Sequence, residues 1–154
     1  MMIRLAGHKD MDQLIRMRWD FTNEYAEKKI EEIQYEAFYR ECRSFFSEVF
    51  NGDKWFIWVA DIEGQILPHV YIQLIDKVPR PGRKTNPFLY MTNVYTLPDC
   101  RRKGIGSQIL KEIEKWSKDN DYEFIIVWPS DWSVDFYERN GYSLCKEPME
   151  LVLD

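Results

Sequence analysis

A segment in the last third of the chain combines positive charge and glycine in a pattern suited to binding an anion. Three consecutive cations, Arg101–Lys103, are followed by Gly104 and Gly106, and the segment joins a predicted strand to a predicted amphipathic helix. The first amides of a helix lack intrahelical acceptors and lie at the positive end of its dipole, and glycine lets an anion approach the backbone. The pattern therefore predicts a loop that binds a pyrophosphate.

The spacing within this loop differs from that of two other phosphate-binding loops. A P-loop requires GxxxxGK followed by Ser or Thr, and a dinucleotide fold requires GxGxxG. The RxxGxG arrangement that begins at Arg101 fits neither pattern. Two glycines near a basic residue recur often by chance, so the strand before the loop and the helix after it carry the argument. Together they indicate a different phosphate-bearing cofactor.

Helices that hold this loop in place are predicted from apolar residues at helical spacing. Three such segments are Met11–Trp19, Phe38–Val49 and Gly104–Lys118. A capping box is predicted at the start of the first helix, with Asp10 as the N-cap and Gln13 reaching back to it. The apolar face predicted for the second helix contains Phe45. A short fourth helix is predicted over Ser133–Arg139, with Gly141 as its C-terminal stop.

Strands are predicted from short runs of apolar, β-branched and aromatic residues. The predicted strands are Ile3–Leu5, Trp55–Ala60, Val70–Ile75, Phe88–Thr96, Phe124–Trp128 and a last pair around Tyr142–Cys145 and Glu150–Leu153. The second and third are expected to form an antiparallel meander. The uninterrupted apolar run Phe124–Trp128 predicts a parallel strand that is covered on both faces. A strand, a helix and a second parallel strand imply a right-handed crossover.

Composition limits the class of protein. At 154 residues, the chain is expected to form one domain over residues 1–154. A formal net charge of −5 disfavours nucleic-acid binding, and the apolar runs are too short for a membrane helix. Three separated cysteines fit neither a zinc site nor a disulfide scaffold, so no metal is expected. Because Met1–Asp12 lacks the apolar core of a signal peptide, a cytoplasmic location is expected.

Two linked motifs resemble those of the GNAT acetyltransferase superfamily. Arg101, Gly104 and Gly106 fill the family's [RQ]xxGx[GA] pattern, and the segment Phe136–Tyr142 resembles its FYxxxGF segment. The strand Met91–Thr96 precedes the first motif, as it does in the family. The resemblance implies an α/β (α+β mixed) fold. It would be a single GNAT-like domain with a central mixed, mostly antiparallel sheet, a splayed parallel strand pair and flanking helices.

The resemblance also implies where acetyl-CoA binds as the acyl donor. Backbone amides of the loop would hold the pyrophosphate, and the loop residues concerned are Arg101, Arg102, Lys103, Gly104, Ile105, Gly106 and Ser107. Backbone groups of Val94, Tyr95 and Thr96 would pair with the pantetheine arm as with a neighbouring strand. Ser130 occupies a position where many relatives have an asparagine that contacts the cofactor.

For catalysis, the resemblance points to Tyr137 as the residue that protonates the departing thiolate. A phenol has an ordinary pKa of about 10 and a thiol about 8.5, so Tyr137 must lie close to the sulfur to be useful. Packing beneath the short helix is the competing explanation for this aromatic residue. The general base is unassigned, because Ile125 stands where some relatives carry glutamate. Asp20 and Glu24 on the first helix are candidates, although solvated helix charges fit them better.

Three functions remain open from the sequence. The first is an N-acetyltransferase that passes an acetyl group directly to an amine in a ternary complex. The second is a non-catalytic acyl-CoA-binding sensor module, and the third is an unrelated phosphate-binding regulatory domain. The acceptor is not identified, although an acidic protein weakly favours cationic amines such as polyamines and aminoglycosides. The sequence also leaves open pairing of the last strands across a homodimer.

Overall fold

The computed structural model describes residues 1–153, which contain one mixed five-stranded sheet. Its strands, in spatial order, are β1 (Met2–Leu5), β2 (Trp55–Ile62), β3 (Gln65–Ile75), β4 (Phe88–Thr96) and β5 (Ile125–Val127). Neighbouring strands are antiparallel except β4 and β5, which are parallel. The sequence-based prediction of a mostly antiparallel mixed sheet with one parallel pair is confirmed.

Helices pack on both faces of the sheet. They are α1 (Met11–Tyr25), α2 (Tyr35–Asn51), α3 (Ile105–Asp119) and α4 (Val134–Arg139). Side chains of α1 and α2 pack with Tyr71 of β3, whereas those of α3 and α4 pack with Val70 and Ile72. Successive strand residues point to opposite faces, so the two helix pairs lie on opposite sides of the sheet. The predicted helices are confirmed as elements, with small differences at their ends.

The apolar face of α2 differs by one residue from the prediction. Phe46 is 2% exposed and belongs to the core, whereas Phe45 is 39% exposed. Two adjacent phenylalanines lie about 100° apart on a helix, and either fits a helical repeat within its tolerance. Phe45 instead rests against Trp55 at the rim of the core, with ring centroids 5.6 Å apart.

The predicted strands after α4 are wrong for the described residues. Residues 142–153 form no strand, and Met149 and Leu153 are largely exposed. β5 is consequently the edge strand of the described sheet. The prediction that the run Phe124–Trp128 is covered on both faces is also wrong, because Phe124 and Trp128, which flank β5, are 47% and 65% exposed. Strand propensity depends on a partner, and these apolar residues have none within residues 1–153. The homodimer pairing that the sequence left open would have used the same strands.

An ion network replaces the capping box predicted at the start of α1. Asp10 makes no side-chain capping bond to α1. Its carboxylate instead accepts both terminal nitrogens of Arg4 at 2.8 Å and the amide of Gly7 at 2.9 Å. Arg4 also donates to Asp61 on β2 at 2.8 Å. The hydrogen bonds from Arg4 hold the pKa of Asp10 below its usual range, so this buried carboxylate is ionised at neutral pH.

Replacing Arg4 with methionine should lower the free energy of unfolding by about 3 kcal/mol, because it leaves the Asp10 carboxylate buried without its cation. Chemical denaturation at neutral pH measures the change. The matched control is Arg40→Met, because Arg40 and Glu36 form an ion pair whose side chains are 75% and 67% exposed. That variant should unfold at nearly the wild-type denaturant concentration. Equal midpoints for the two variants would contradict a stabilising role for Arg4.

Candidate functional site

The candidate site is a cleft that opens where β4 and β5 separate. The two strands pair only through Leu89–Met91 of β4 and Ile125–Val127 of β5. β4 continues to Thr96, so within the described residues its last part has no strand partner on this side. The cleft leads into a cavity of about 840 Å³. The unpaired edge of β4 offers backbone donors and acceptors to an extended ligand.

The predicted anion-binding loop lies at one end of this cleft. Gly104 adopts φ 75° and caps α3, while Arg102 adopts φ 61°. Among the described residues, the first amide after the loop that donates to a backbone carbonyl is that of Gln108, which donates to Gly104 at 3.1 Å. The preceding amides at the start of α3 are therefore available to an anion.

The two glycines of the loop serve different purposes. A Cβ placed on Gly104 would meet nothing within 4 Å. Glycine is favoured at this position because the backbone is left-handed and because the space beside it is left open for a ligand. A Cβ on Gly106 would come within 3.3 Å of the Phe136 ring. Gly106 therefore permits close packing of α3 against α4. The two motifs recognised in the sequence meet at this contact.

Nearly all of the predicted site residues line the same cavity. They are Val94, Tyr95, Thr96, Arg101, Arg102, Gly104, Ile105, Gly106, Ser107, Ser130 and Tyr137. Lys103 is exposed and does not line it. The Ser130 hydroxyl lies 3.1 Å from that of Ser133, so a ligand would share it with a neighbouring side chain.

The side chain of Arg101 turns away from the loop toward α1. It donates to both carboxylate oxygens of Glu24 at 2.5 and 2.8 Å and to the Thr96 carbonyl at 2.9 Å. The Tyr95 hydroxyl donates to the same carboxylate at 2.9 Å. These bonds hold the pKa of Glu24 below its usual range, Arg101 having the largest effect. Glu24 is therefore a paired anion that anchors the loop to α1, and it is poorly suited to act as a general base.

Tyr137 lies at the inner wall of the cavity and is 6% exposed. Its ring packs between Phe136 and Tyr142, with centroid separations of 5.2 and 5.5 Å. Burial raises the pKa of Tyr137 to about 12, so its hydroxyl keeps its proton at neutral pH. The residue both packs in the aromatic cluster around α4 and lines the cleft cavity, which is compatible with either role considered from the sequence.

A β-bulge in β4 brings His69 into the site. The register shifts between His69 and Tyr71 of β3, opposite Asn93, whose φ is 48°. Nδ1 of His69 lies 2.8 Å from the Asn93 carbonyl, which can only accept, so Nδ1 carries the proton. His69 is completely buried and lines the cavity, and its Nε2 has no hydrogen-bond partner among the described residues. Sequence reasoning missed this contact because the two residues lie on different strands and neither belongs to a motif.

The buried imidazole should make stability depend on mildly acidic pH. Burial lowers the pKa of His69 from 6.5 to about 4. Because the unfolded chain takes up this proton first, stability should be complete above pH 6.5 and fall by about 3 kcal/mol as the pH drops toward 4. Denaturation of wild type and His69→Gln between pH 6.5 and 4.5 measures the difference. The variant should have a flatter profile, while the exposed His8→Gln control should follow wild type; parallel profiles for all three would contradict this origin.

The cleft, the free amides and the helix that joins two splayed parallel strands form a site suited to an extended ligand that carries an anionic group. A family model described as "Acetyltransferase (GNAT) family" matches residues 12–142. The chain therefore belongs to the GNAT acetyltransferase family, and the resemblance found in the sequence is confirmed.

Solved structures with the same fold cover nearly the whole chain. A predicted acetyltransferase from Clostridium acetobutylicum, solved with acetyl-CoA, is 25% identical to this chain, with a TM-score of 0.77. The match covers 98% of this chain and 95% of that chain. A GCN5-related N-acetyltransferase from Ralstonia eutropha is 20% identical with a TM-score of 0.76, covering 98% and 97%. The second likeness concerns the fold alone.

Curated relatives match over shorter segments. The chain is 32% identical over 81 residues to the tRNA(Met) cytidine acetyltransferase of Methanopyrus kandleri. These residues make up 51% of this chain and 9% of that protein. It is 38% identical over 37 residues to an aminoglycoside N(6')-acetyltransferase of Acinetobacter, covering 24% of this chain and 25% of that protein. The chain thus spans only a small part of either relative.

None of the helices within residues 1–153 combines the length and the apolar character needed to cross a membrane. Within the same residues, no three or more histidine, cysteine, aspartate or glutamate side chains are grouped so as to hold a metal ion.

Proposed function

We propose that this protein transfers an acetyl group from acetyl-CoA to a primary amine by direct transfer in a ternary complex. The observation that carries the proposal is the cleft between β4 and β5, whose lining runs from the start of α3, with its free amides, to Tyr137. Such a cleft can hold a long cofactor with its phosphates at one end and its reactive group at the other. The family supports the choice of acetyl-CoA as donor.

Each part of the cleft has a proposed binding role. Amides of residues 102–107 hold the pyrophosphate, with Arg102 adding a positive charge at the rim. Val94, Tyr95 and Thr96 pair with the pantetheine arm through their backbone, in place of the strand partner that β5 does not supply. Ser130 donates a hydroxyl hydrogen bond from the opposite wall when the cofactor replaces Ser133 as the acceptor of its proton. Arg101 acts indirectly, because its guanidinium holds the loop against α1 through Glu24.

Transfer requires a nucleophile, a proton donor for the departing sulfur and an acceptor for the proton that the amine nitrogen loses. The bound cofactor supplies an activated acetyl thioester. The amine nitrogen forms a bond to the acetyl carbon as the carbon–sulfur bond breaks, and Tyr137 donates its proton to the departing sulfur. The nitrogen then loses a proton to water, and Tyr137 regains one from solvent. Tyr137 is the proposed catalytic residue.

The base that would deprotonate the amine is not supplied by an acidic residue in the cavity wall. Among the described residues, no aspartate or glutamate lines the cavity, and Glu24 is already paired with Arg101. We therefore expect the amine to enter as its neutral form or to lose its proton through water. The rate should then rise with pH as the free amine fraction increases.

Release of free thiol from acetyl-CoA by the purified protein tests the proposal. Amine-dependent release under saturating acetyl-CoA supports the transferase. Saturable acetyl-CoA binding without release from a broad set of amines would favour the sensor module. Failure to bind millimolar acetyl-CoA in a calorimetric titration would overturn both.

A further inference from the structure

Aromatic side chains dominate the part of the cavity that faces α1. Leu89 and Met91 pack with α3, so the alternate residue Tyr90 points to the opposite face of the sheet. Six aromatic residues line the cavity in this region or at its mouth: Phe21, Tyr25, Tyr90, Tyr95, Trp128 and Trp132. The cofactor proposed above would lie along the free edge of β4, with its phosphates at the start of α3, which leaves this aromatic region for the acceptor.

These six residues form three face-to-face or tilted pairs around the opening. Phe21 stacks on Tyr95 with centroids 4.8 Å apart, and Tyr25 stacks on Trp132 at 5.5 Å. Tyr90 and Trp128 pack at 4.6 Å, where β4 and β5 begin to separate. Trp128 and Trp132 are 65% and 72% exposed, and Tyr25 is 48% exposed. Large aromatic surface therefore remains uncovered beside the cleft, where a ligand ring can bury it.

The charges in the cavity wall oppose a polycationic acceptor. Its ionised side chains among the described residues are arginines, and the carboxylate nearest to Arg101 is fully engaged by that guanidinium and by Tyr95. A second ammonium group drawn into this cavity would lose its hydration without gaining a carboxylate partner. A single ammonium can instead rest against aromatic faces. The net charge of −5 thus resides elsewhere on the molecule.

We propose that the acceptor is a primary monoamine that carries an aromatic ring, a substrate class that rests on the amine acetyltransferase function proposed above. Its ring packs among Tyr25, Trp132 and Tyr90, and its amine reaches the acetyl group at the point where β4 and β5 separate. Polyamines and aminoglycosides are excluded from this class by their additional charges. The acceptor of this chain therefore differs in class from the substrate named for the Acinetobacter aminoglycoside N(6')-acetyltransferase.

Steady-state thiol release with matched amines tests this substrate class. The full chain is assayed at saturating acetyl-CoA with 2-phenylethylamine, tyramine and tryptamine, with 2-cyclohexylethylamine as an apolar control without an aromatic ring, and with spermidine and kanamycin. The aromatic amines should have kcat/KM values at least tenfold above those of the two polycations, and 2-cyclohexylethylamine should fall between. Comparable or higher kcat/KM for spermidine or kanamycin would overturn the substrate class while leaving amine acetylation intact. Thiol release with none of the amines would overturn the proposed function and this inference with it.

A variant of Tyr25 locates the ring-binding surface. Tyr25→Leu should raise KM for 2-phenylethylamine about tenfold, with little change in kcat or in acetyl-CoA affinity, and Tyr25→Phe should restore most of the loss. The matched control is Phe45→Leu, which removes a partly exposed aromatic residue from α2, outside the cavity. It should leave KM unchanged. Equal KM values for Tyr25→Leu and wild type would overturn the assignment of the aromatic region to the acceptor.

Discussion

Replacing Tyr137 with phenylalanine should lower kcat for amine acetylation by about 100-fold, with little change in the affinity for acetyl-CoA. The substitution removes only the hydroxyl group, and the ring that packs between Phe136 and Tyr142 is retained. General acids contribute about 10²- to 10⁴-fold. The lower end is expected because burial raises the pKa of Tyr137 to about 12, well above that of a thiol. Proton donation to sulfur is therefore unfavourable unless the two groups are in contact.

Tyr142→Phe is the matched control for this experiment. Tyr142 belongs to the same aromatic cluster, but it does not line the cleft cavity. Its variant should retain wild-type kcat, and both variants should unfold at similar denaturant concentrations. Steady-state kinetics with saturating acetyl-CoA, together with a direct titration of the cofactor, separates turnover from binding. An unchanged kcat for Tyr137→Phe would remove this residue from the chemical step and support packing as its sole role.

Replacing Gly104 with tryptophan should weaken acetyl-CoA binding by at least about 100-fold, as measured by calorimetric titration. The new side chain would occupy the open space beside the amides at the start of α3, where the pyrophosphate is proposed to bind. Blocking these amides removes several charge-assisted hydrogen bonds at once. The folding cost of a left-handed residue without glycine is only about 1 to 2 kcal/mol, so the domain should remain folded.

The chain contains a close control for the strain that this substitution introduces. Gly82 lies in the exposed connection between β3 and β4, with φ 81° against 75° for Gly104, and a Cβ on either would meet nothing within 4 Å. Gly82→Trp should therefore incur a similar backbone cost but bind acetyl-CoA as wild type does. Equal affinity in the two variants would contradict the placement of the cofactor phosphates at the loop.

Features encoded within short segments could be predicted from the sequence. The loop at residues 101–106 is recognisable because its cations, glycines and following helix are contiguous, and β4 was predicted with its observed ends, Phe88–Thr96. Periodicity also places α1 and α3, because each has a continuous apolar stripe. The family was recognised because the segment Phe136–Tyr142, which begins in α4, follows the loop in the order typical of the family.

Features that depend on distant residues could not be predicted in this way. The Glu24–Arg101 pair joins residues 77 positions apart, and a charged residue on a helix ordinarily indicates a solvated surface. The contact of His69 with Asn93 depends on a bulge in the neighbouring strand, which no local sequence pattern predicts. The predicted strands after α4 failed for the converse reason, because their local pattern was favourable but the described chain provides no partner strand for them.

The contact between Gly106 and Phe136 means that a substitution in one sequence motif affects the other. Alanine at position 106 would bring its methyl group to 3.3 Å from the ring, so α4 would have to shift by a few tenths of an ångström. That helix also carries Tyr137, and the same shift would move the phenol relative to the sulfur. A larger residue at 106 is thus best accompanied by a smaller one at 136. Redesign of the phosphate loop in this chain must treat the two positions as a pair.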